Sequence, residues 1–391
     1  MKTSIFITTL LATAISVESC QNSNAKSIAD EIPKSAVIET PILNDGTKIQ
    51  VALLLDTSNS MDGLIEQAKS RLWNIVNTLT TLKYNGKTPE IEIALYEYGN
   101  DGLSDRSNFI RQVTPLSTDL DLISEKLFTL KTNGGNEYCG AVIQDATKNL
   151  VWGKDNNNMK LIYVCGNEAF NQGGINYKES ISDALKNNIY VNTIFCGDQT
   201  EGINTHWKDG ADYGKGKFFN IDSDKVVQYI VTPYDVEITK CNDRINNTYI
   251  NYGSRGYEKK RSQMKEDDNA KAISSSNMTA RAVSKSKSVY KNDSWDLVDK
   301  VKDDKLAIDK HKKEELPVEL QNKSKEEIKT IVANKSKERE TIQKEIGELA
   351  KKRQVYIDAE AKKSKTQDDL GNAISTSIVS MAKLKGYTVE N

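Results

Sequence analysis

Histidine is nearly missing from this chain of 391 residues, which has two. His206 stands beside Trp207 and His311 stands among lysines. No Ser-His-Asp order and no nucleophile elbow surrounds either, so acyl-transfer chemistry lacks its usual base. There are five cysteines and no Cys-x-x-Cys spacing, which argues against a zinc site. No Gly-x4-Gly-Lys-Ser/Thr run exists, and Gly134-Gly135 has no lysine after it, so a phosphate-cradling loop is lacking. An excess of one charge is lacking too: 54 Lys+Arg oppose 55 Asp+Glu, leaving no net basic field for nucleic acid. Repeats of solenoid type are absent. With 28% charged residues against 37% hydrophobic ones, the chain reads as polar and water-soluble, and it is long enough for two domains.

The N-terminus carries Met1-Lys2, an apolar run from Ile5 to Val17, then Glu18-Ser19-Cys20. A short positive region, an apolar region of this length and a small-residue site make residues 1–20 a signal peptide. The cysteine directly after Ser19 resembles a bacterial lipoprotein signal, in which Cys20 becomes the lipidated first residue and ties the protein to a membrane. Glu18 is unusual there, and ordinary cleavage, giving a periplasmic or secreted soluble protein, is the alternative. Residues 21–47 then form a tether. An exported protein can keep disulfides, and Cys139, Cys165, Cys196 and Cys241 allow three full pairings among which sequence does not choose.

From 48 to 232 strand and helix patterns alternate, which argues for an α/β domain with parallel strands and crossover helices. The strand candidates are 49–55, 91–98, 109–113, 160–165, 190–196 and 217–221. Leu64, Ala68, Leu72, Ile75 and Leu79 recur at helical spacing, as do Leu120, Ile123, Leu127 and Leu130. Val142, Ala146 and Leu150 form a third helical set, Ile181, Ala184 and Leu185 a fourth, and Val226, Val227 and Ile230 close the domain. Residues 233–391 read as a helical region. A long polar helix is expected from Val236 to Tyr252, and the Lys/Ser/Arg-rich stretch 253–291 is expected to be a solvated helix or loop. Trp295, Leu297 and Val298 are its apolar anchors. Ile342, Ile346, Leu349, Arg353 and Tyr356 follow a 4-3-4-3 spacing, expected as one arm of a short coiled-coil-like hairpin. The second arm is the helix through Leu370, Ala373, Ile374, Ile378, Met381 and Leu384, stopped by Gly386.

The richest stretch is Ile49 to Met61, where an apolar strand ends on Asp56-Thr57-Ser58-Asn59-Ser60. One carboxylate and two hydroxyls at a strand-to-helix junction are hard oxygen donors of the kind that suit Mg²⁺ or Mn²⁺. In an open α/β sheet ligands gather outside the carboxyl ends of the strands. A competing reading makes Ser58 or Ser60 an ordinary helix N-cap.

Asp56-x-Ser58-x-Ser60 after a buried strand resembles the metal-ion-dependent adhesion site of von Willebrand factor type A (VWA) domains. The runs Met159–Gly174 and Ile189–Gly197 resemble the later strands of that family and an exported bacterial subgroup of it. The resemblance implies a Rossmann-like, doubly wound, mostly parallel sheet over 48–232. It also implies two further loops at the metal. The family's second loop gives a Thr; here Asn136 or Tyr138 falls at that place, with the carboxylate of Glu137 between. Its third loop gives an Asp; Gly166 stands there, with Glu168 close by. Either Glu137 and Glu168 replace the missing ligands, making a more acidic site, or the site is degenerate and the domain recognises partners without metal. The implied function is non-enzymatic: an Mg²⁺-dependent (or Mn²⁺-dependent) binding module at the cell envelope, whose protein partner presents a carboxylate. The alternative is an envelope-assembly protein acting through its C-terminal helices. A metal-dependent hydrolase stands third, since a base beside the site is lacking.

Overall fold

The computed structural model describes residues 46–310, 312–363 and 369–390. The expected signal peptide with Cys20, most of the expected tether and His311 lie outside them.

Strand β1 (Lys48–Asp56) is apolar on both sides because both sides are covered. Ile49, Val51, Leu53 and Leu55 enter one core, while Ala52 and Leu54 enter the other. The remaining strands are β2 (Leu82–Lys83), β3 (Glu90–Tyr98), β4 (Ile110–Ser117), β5 (Met159–Gly166), β6 (Ile189–Cys196), β7 (Lys215–Ile221) and β8 (Thr388–Val389). Six of them form one sheet in the order β4-β3-β1-β5-β6-β7. β4 runs antiparallel to β3, and the other pairs are parallel. The chain winds outward in both directions from β1, so the switch in strand order falls beside the carboxyl end of β1, where Asp56 lies.

Helices α1 (Asp62–Thr80) and α2 (Leu120–Thr129) feed the first core. Helices α3 (Cys139–Asn149) and α4 (Tyr177–Lys186) feed the second, joined by Phe170 and by Trp207 of α6 (Trp207–Tyr213), which follows the short α5 (Gln199–Asn204). The fold class expected from the sequence is thus present: a mostly parallel sheet flanked by helices, with a helical region after it. Residues 222–231 after β7, which hold the Val226, Val227 and Ile230 set expected to close the domain, are irregular.

The C-terminal half departs further from expectation. It runs α7 (Asp235–Asn246), α8 (Gly256–Ile273), α9 (Ser275–Lys285), α10 (Leu297–Asp303), α11 (Ala307–Lys310), α12 (Val318–Gln321), α13 (Lys325–Ala361) and α14 (Leu370–Leu384). The polar helix expected to Tyr252 stops at Asn246. The stretch expected to be solvated contains α9, which is buried from Ser276 to Lys285. Its cations are neutralised in place. Arg281 reaches Asp121 at 2.7 Å and Asp267 at 2.6 Å, donates to the Gln263 carbonyl at 2.8 Å, and lies over the Trp73 ring. Lys285 holds Asp267 at 2.9 Å and Asn246 at 2.5 Å. Buried charge is tolerated only with such pairing.

The expected hairpin is likewise replaced. Helix α14 does not lie chiefly along α13; it packs on α1 and on the sheet at β5, β6 and β7. Ile374 and Ile378 are fully buried there. Strand β8 then pairs antiparallel with β2. From Gly46 onward the chain therefore forms one compact unit, not a sheet domain with a separate helical appendage. Helix α13 packs instead on α7 and α10. Arg339 of α13 is buried, bonding Asp296 and Asp299 at 2.7 Å each. Leu297 and Val298 join a small core with Ile328 and Val332, whereas Trp295 stacks on Tyr249 and faces the main core.

No disulfide pairing is realised: Cys139, Cys165, Cys196 and Cys241 are all free and buried. Among the described residues no helix is long and apolar enough to cross a membrane.

Candidate metal centre

Asp56 closes β1 with no exposed surface. The next amide, Thr57 N–H, still bonds across to the Tyr98 carbonyl at 2.9 Å, and then the chain turns. Ser58 N–H donates to Asp56 Oδ1 at 2.7 Å, so the aspartate folds the chain back over its own carboxylate. The Ser58 and Ser60 hydroxyls lie 3.2 Å apart. Residues Asn59–Met61 form a single 3₁₀ turn before α1, and neither hydroxyl makes a side-chain cap bond there. The N-cap reading is therefore not what these hydroxyls do.

Glu137 arrives from the glycine-rich loop before α3. Asn133 N–H bonds the Thr57 carbonyl at 2.9 Å, and Asn100 holds the Lys131 carbonyl at 2.9 Å, which lays this loop across the end of β1. Tyr138 turns away, its ring against Phe109, and Asn136 is exposed. The residue between them points inward: Glu137 is 4% exposed, and its carboxyl lies within hydrogen-bond reach of Asp56 and Ser58. Gly99 makes room. Its φ is +76°, and a Cβ there would stand 2.7 Å from Glu137 Cγ and 2.9 Å from Asp56 Oδ1.

The two carboxyls are short of partners. Asp56 Oδ2 and Glu137 Oε2 are buried and make no hydrogen bond. Burial pushes the Asp56 carboxyl well above the usual carboxylate range; Glu137 pushes it further, against the pull of the Ser58 amide. Burial likewise raises Glu137. Two buried carboxyls side by side hold a proton unless a cation replaces it. Two carboxylate oxygens without partners beside two hydroxyls fit a hard divalent ion.

The third loop is placed differently from the sequence expectation. Gly166 closes β5, and a Cβ on it would meet the Tyr98 hydroxyl at 2.6 Å and Asp56 Oδ2 at 3.0 Å. Tyr98, fully buried, donates to the Cys165 carbonyl at 2.9 Å and fills that space. Glu168 is exposed and accepts from Gln172 at 3.1 Å; its backbone amide, not its carboxylate, bonds toward Glu137. The structure thus brings Asp56, Ser58, Ser60 and Glu137 together and turns the Glu168 carboxylate outward. Among the described residues no group of three His, Cys, Asp or Glu gathers as a metal site. The site keeps two acidic groups rather than the three expected of the altered form. Sequence reasoning missed Asn167, whose amide Nδ2 lies 3.0 Å from Ser60 Oγ. The available signal was an oxygen-bearing residue directly after the strand. His206 lies elsewhere, facing the Tyr177 ring.

Residues 50–232 match the family description von Willebrand factor type A domain. No curated protein matches the chain. Among solved structures, it is similar to proximal thread matrix protein 1 from the mussel byssus with a zinc-occupied MIDAS motif. That likeness is 15% identical and covers 46% of this chain and 43% of that one, with a TM-score of 0.35. An aerotolerance-related membrane protein from Bacteroides fragilis is 17% identical over 45% of this chain and 92% of its own, with a TM-score of 0.32. A pilus adhesin from Lactobacillus rhamnosus GG is 11% identical over 46% and 28%, with a TM-score of 0.34. This chain spans less than half the length of the mussel protein. Strand order and the Asp-x-Ser-x-Ser turn at the end of β1 accord with the von Willebrand factor type A match over residues 50–232.

Proposed function

We propose that this domain is a non-enzymatic protein-binding module that holds a divalent cation, Mg²⁺ or Mn²⁺, at the carboxyl end of its sheet. Asp56, Glu137, Ser58 and Ser60 would hold the ion. Bound there, the ion supplies an electrophilic position that a carboxylate of a protein partner completes. The observation that carries this reading is the pair of buried, unpartnered oxygens, Asp56 Oδ2 and Glu137 Oε2. Buried acceptors without donors are costly, and a cation removes that cost for both at once.

The chain's own residues fit the binding role. Two carboxylates offset the charge of a divalent ion without exceeding it. Ser60 is exposed while Asp56 is not, so a visitor would meet the ion from the Ser60 side. The two titratable groups inside are both committed to the ion, which supports binding over hydrolysis. At the N-terminus, lipidation at Cys20 would hold the protein at the cell envelope, and the balanced charge speaks against a nucleic-acid role.

The test is a thermal melt of the full chain with and without Mg²⁺ or Mn²⁺. The wild type is expected to rise in midpoint with metal, and Asp56→Ala is expected not to respond. A wild type indifferent to both ions rejects the metal reading. Location is tested separately: Cys20→Ser is expected to move the protein from the membrane fraction to the soluble one.

A further inference from the structure

The third loop at the metal centre lacks the side chain that would complete it. Gly166 offers none, and no carboxylate could enter from that position, because its Cβ would stand 2.6 Å from the Tyr98 hydroxyl. Glu168 is spent on Gln172 at the surface. Between them Asn167 is half-buried, and its carboxamide straddles Ser60: Nδ2 lies 3.0 Å and Oδ1 lies 3.4 Å from Ser60 Oγ. The polar groups therefore run in an unbroken chain of contacts, Asp56 to Ser58, Ser58 to Ser60, and Ser60 to Asn167.

A hydroxyl that gives a lone pair to a cation must send its proton elsewhere, to an acceptor on the far side. As placed, the amide nitrogen is the nearer atom and donates to the Ser60 lone pair. The two ends of a carboxamide differ little in size, and rotation about its last bond exchanges them. With Oδ1 turned toward Ser60, the amide accepts the serine proton, and the lone pairs are released toward Asp56 and Glu137.

Resting on the metal reading above, we infer that Asn167 is the third-loop positioning residue of this site: its carboxamide oxygen accepts the Ser60 proton and aims that hydroxyl at the cation, in place of the carboxylate that Gly166 cannot carry. The loop's contribution is then neutral, and the inner charge stays with Asp56 and Glu137.

The experiment is Mn²⁺ titration of the full chain, followed by the electron paramagnetic resonance signal of free Mn²⁺, which reads binding directly. Asn167→Ala is expected to weaken Mn²⁺ about 10-fold or more, the range typical of residues that orient a ligand. Asn167→Asp, which keeps an acceptor at that place, is expected to bind at least as tightly as wild type. Glu168→Gln is expected to leave affinity within a factor of about two, since its carboxylate faces Gln172. Wild-type affinity in Asn167→Ala overturns the inference while leaving the metal reading intact, and a loss confined to Glu168→Gln does the same. A wild type that takes up no Mn²⁺ overturns both. Circular dichroism spectra matching wild type separate loss of binding from loss of fold in each variant.

Discussion

Replacing Glu137 by glutamine should stabilise the metal-free protein and abolish its response to metal. In the wild type two buried carboxyl oxygens, one on Asp56 and one on Glu137, have no donor in the protein and are satisfied only by a proton taken up from solvent. Each such group costs about 1–3 kcal/mol. In Glu137→Gln the new carboxamide would donate to Asp56 and remove one acidic group, recovering about 1–2 kcal/mol of this. At about 2–4 °C per kcal/mol that is a rise in Tm of about 2–8 °C. Mg²⁺ at about one hundred times its Kd would give the wild type about 2.7 kcal/mol, or about 5–10 °C, and the variant close to nothing. The order of melting should therefore invert between EDTA and Mg²⁺. The pH dependence follows. Because the folded carboxyls are raised, the metal-free native state holds a proton that the unfolded chain has shed. Metal-free stability is then full below the ordinary carboxylate pKa and falls as pH rises through the native one. With Mg²⁺ present the ion displaces that proton, so the stabilisation by metal grows over the same window. Differential scanning fluorimetry at several pH values reads all of this. A Glu137→Gln variant that melts lower in EDTA and still responds to Mg²⁺ would refute the reasoning.

Other perturbations probe the C-terminal half. Arg281→Ala leaves Asp121 buried without its cation and Asp267 with Lys285 alone, and a loss of about 3–5 kcal/mol is expected in urea unfolding. Burial pulls the Lys285 amine down to about 8 despite Asp267. Between that pH and the ordinary lysine value of about 10.4, the unfolded chain binds a proton that the native one does not, so stability should rise with pH. Lys285→Met should remove that slope in melts across this window. Ile378→Ala, a fully buried position on α14, is expected to cost about 2–5 kcal/mol in the same urea assay, although α14 is remote in sequence from the sheet it covers. The four described cysteines are expected to react with a thiol reagent only as fast as the protein unfolds.

The legible parts of this molecule are the local ones. β1 stands out because both faces are covered, so the run Ile49–Leu55 has hardly a polar interruption. Asp56, Ser58 and Ser60 share one turn, and their convergence needs nothing from elsewhere in the chain. Glu137 can be picked out because it is the one carboxylate in its loop. At the third loop a reading by charge falls one residue too far. It selects Glu168, yet side-chain direction at a strand end reverses at each residue, and Asn167 faces Ser60. Helix α9 is hidden for a related reason. A serine- and lysine-rich segment looks solvated unless its counter-charges are known, and Asp121 and Asp267 lie on α2 and α8. The hairpin expectation takes the neighbour in sequence for the neighbour in space. Nothing local distinguishes an amphipathic helix bound for α13 from one bound for α1.

The placement of α14 has a consequence for how the protein is made. Strand β7 ends at Ile221, but the helix that covers the β5–β7 face begins only at Leu370. While the ribosome is translating the intervening helices, one side of the sheet stays wet and oily. The domain cannot close cooperatively until that late-arriving segment clears the exit tunnel. A nonsense codon placed between the two would therefore yield not a smaller folded domain but a substrate for chaperones and proteases.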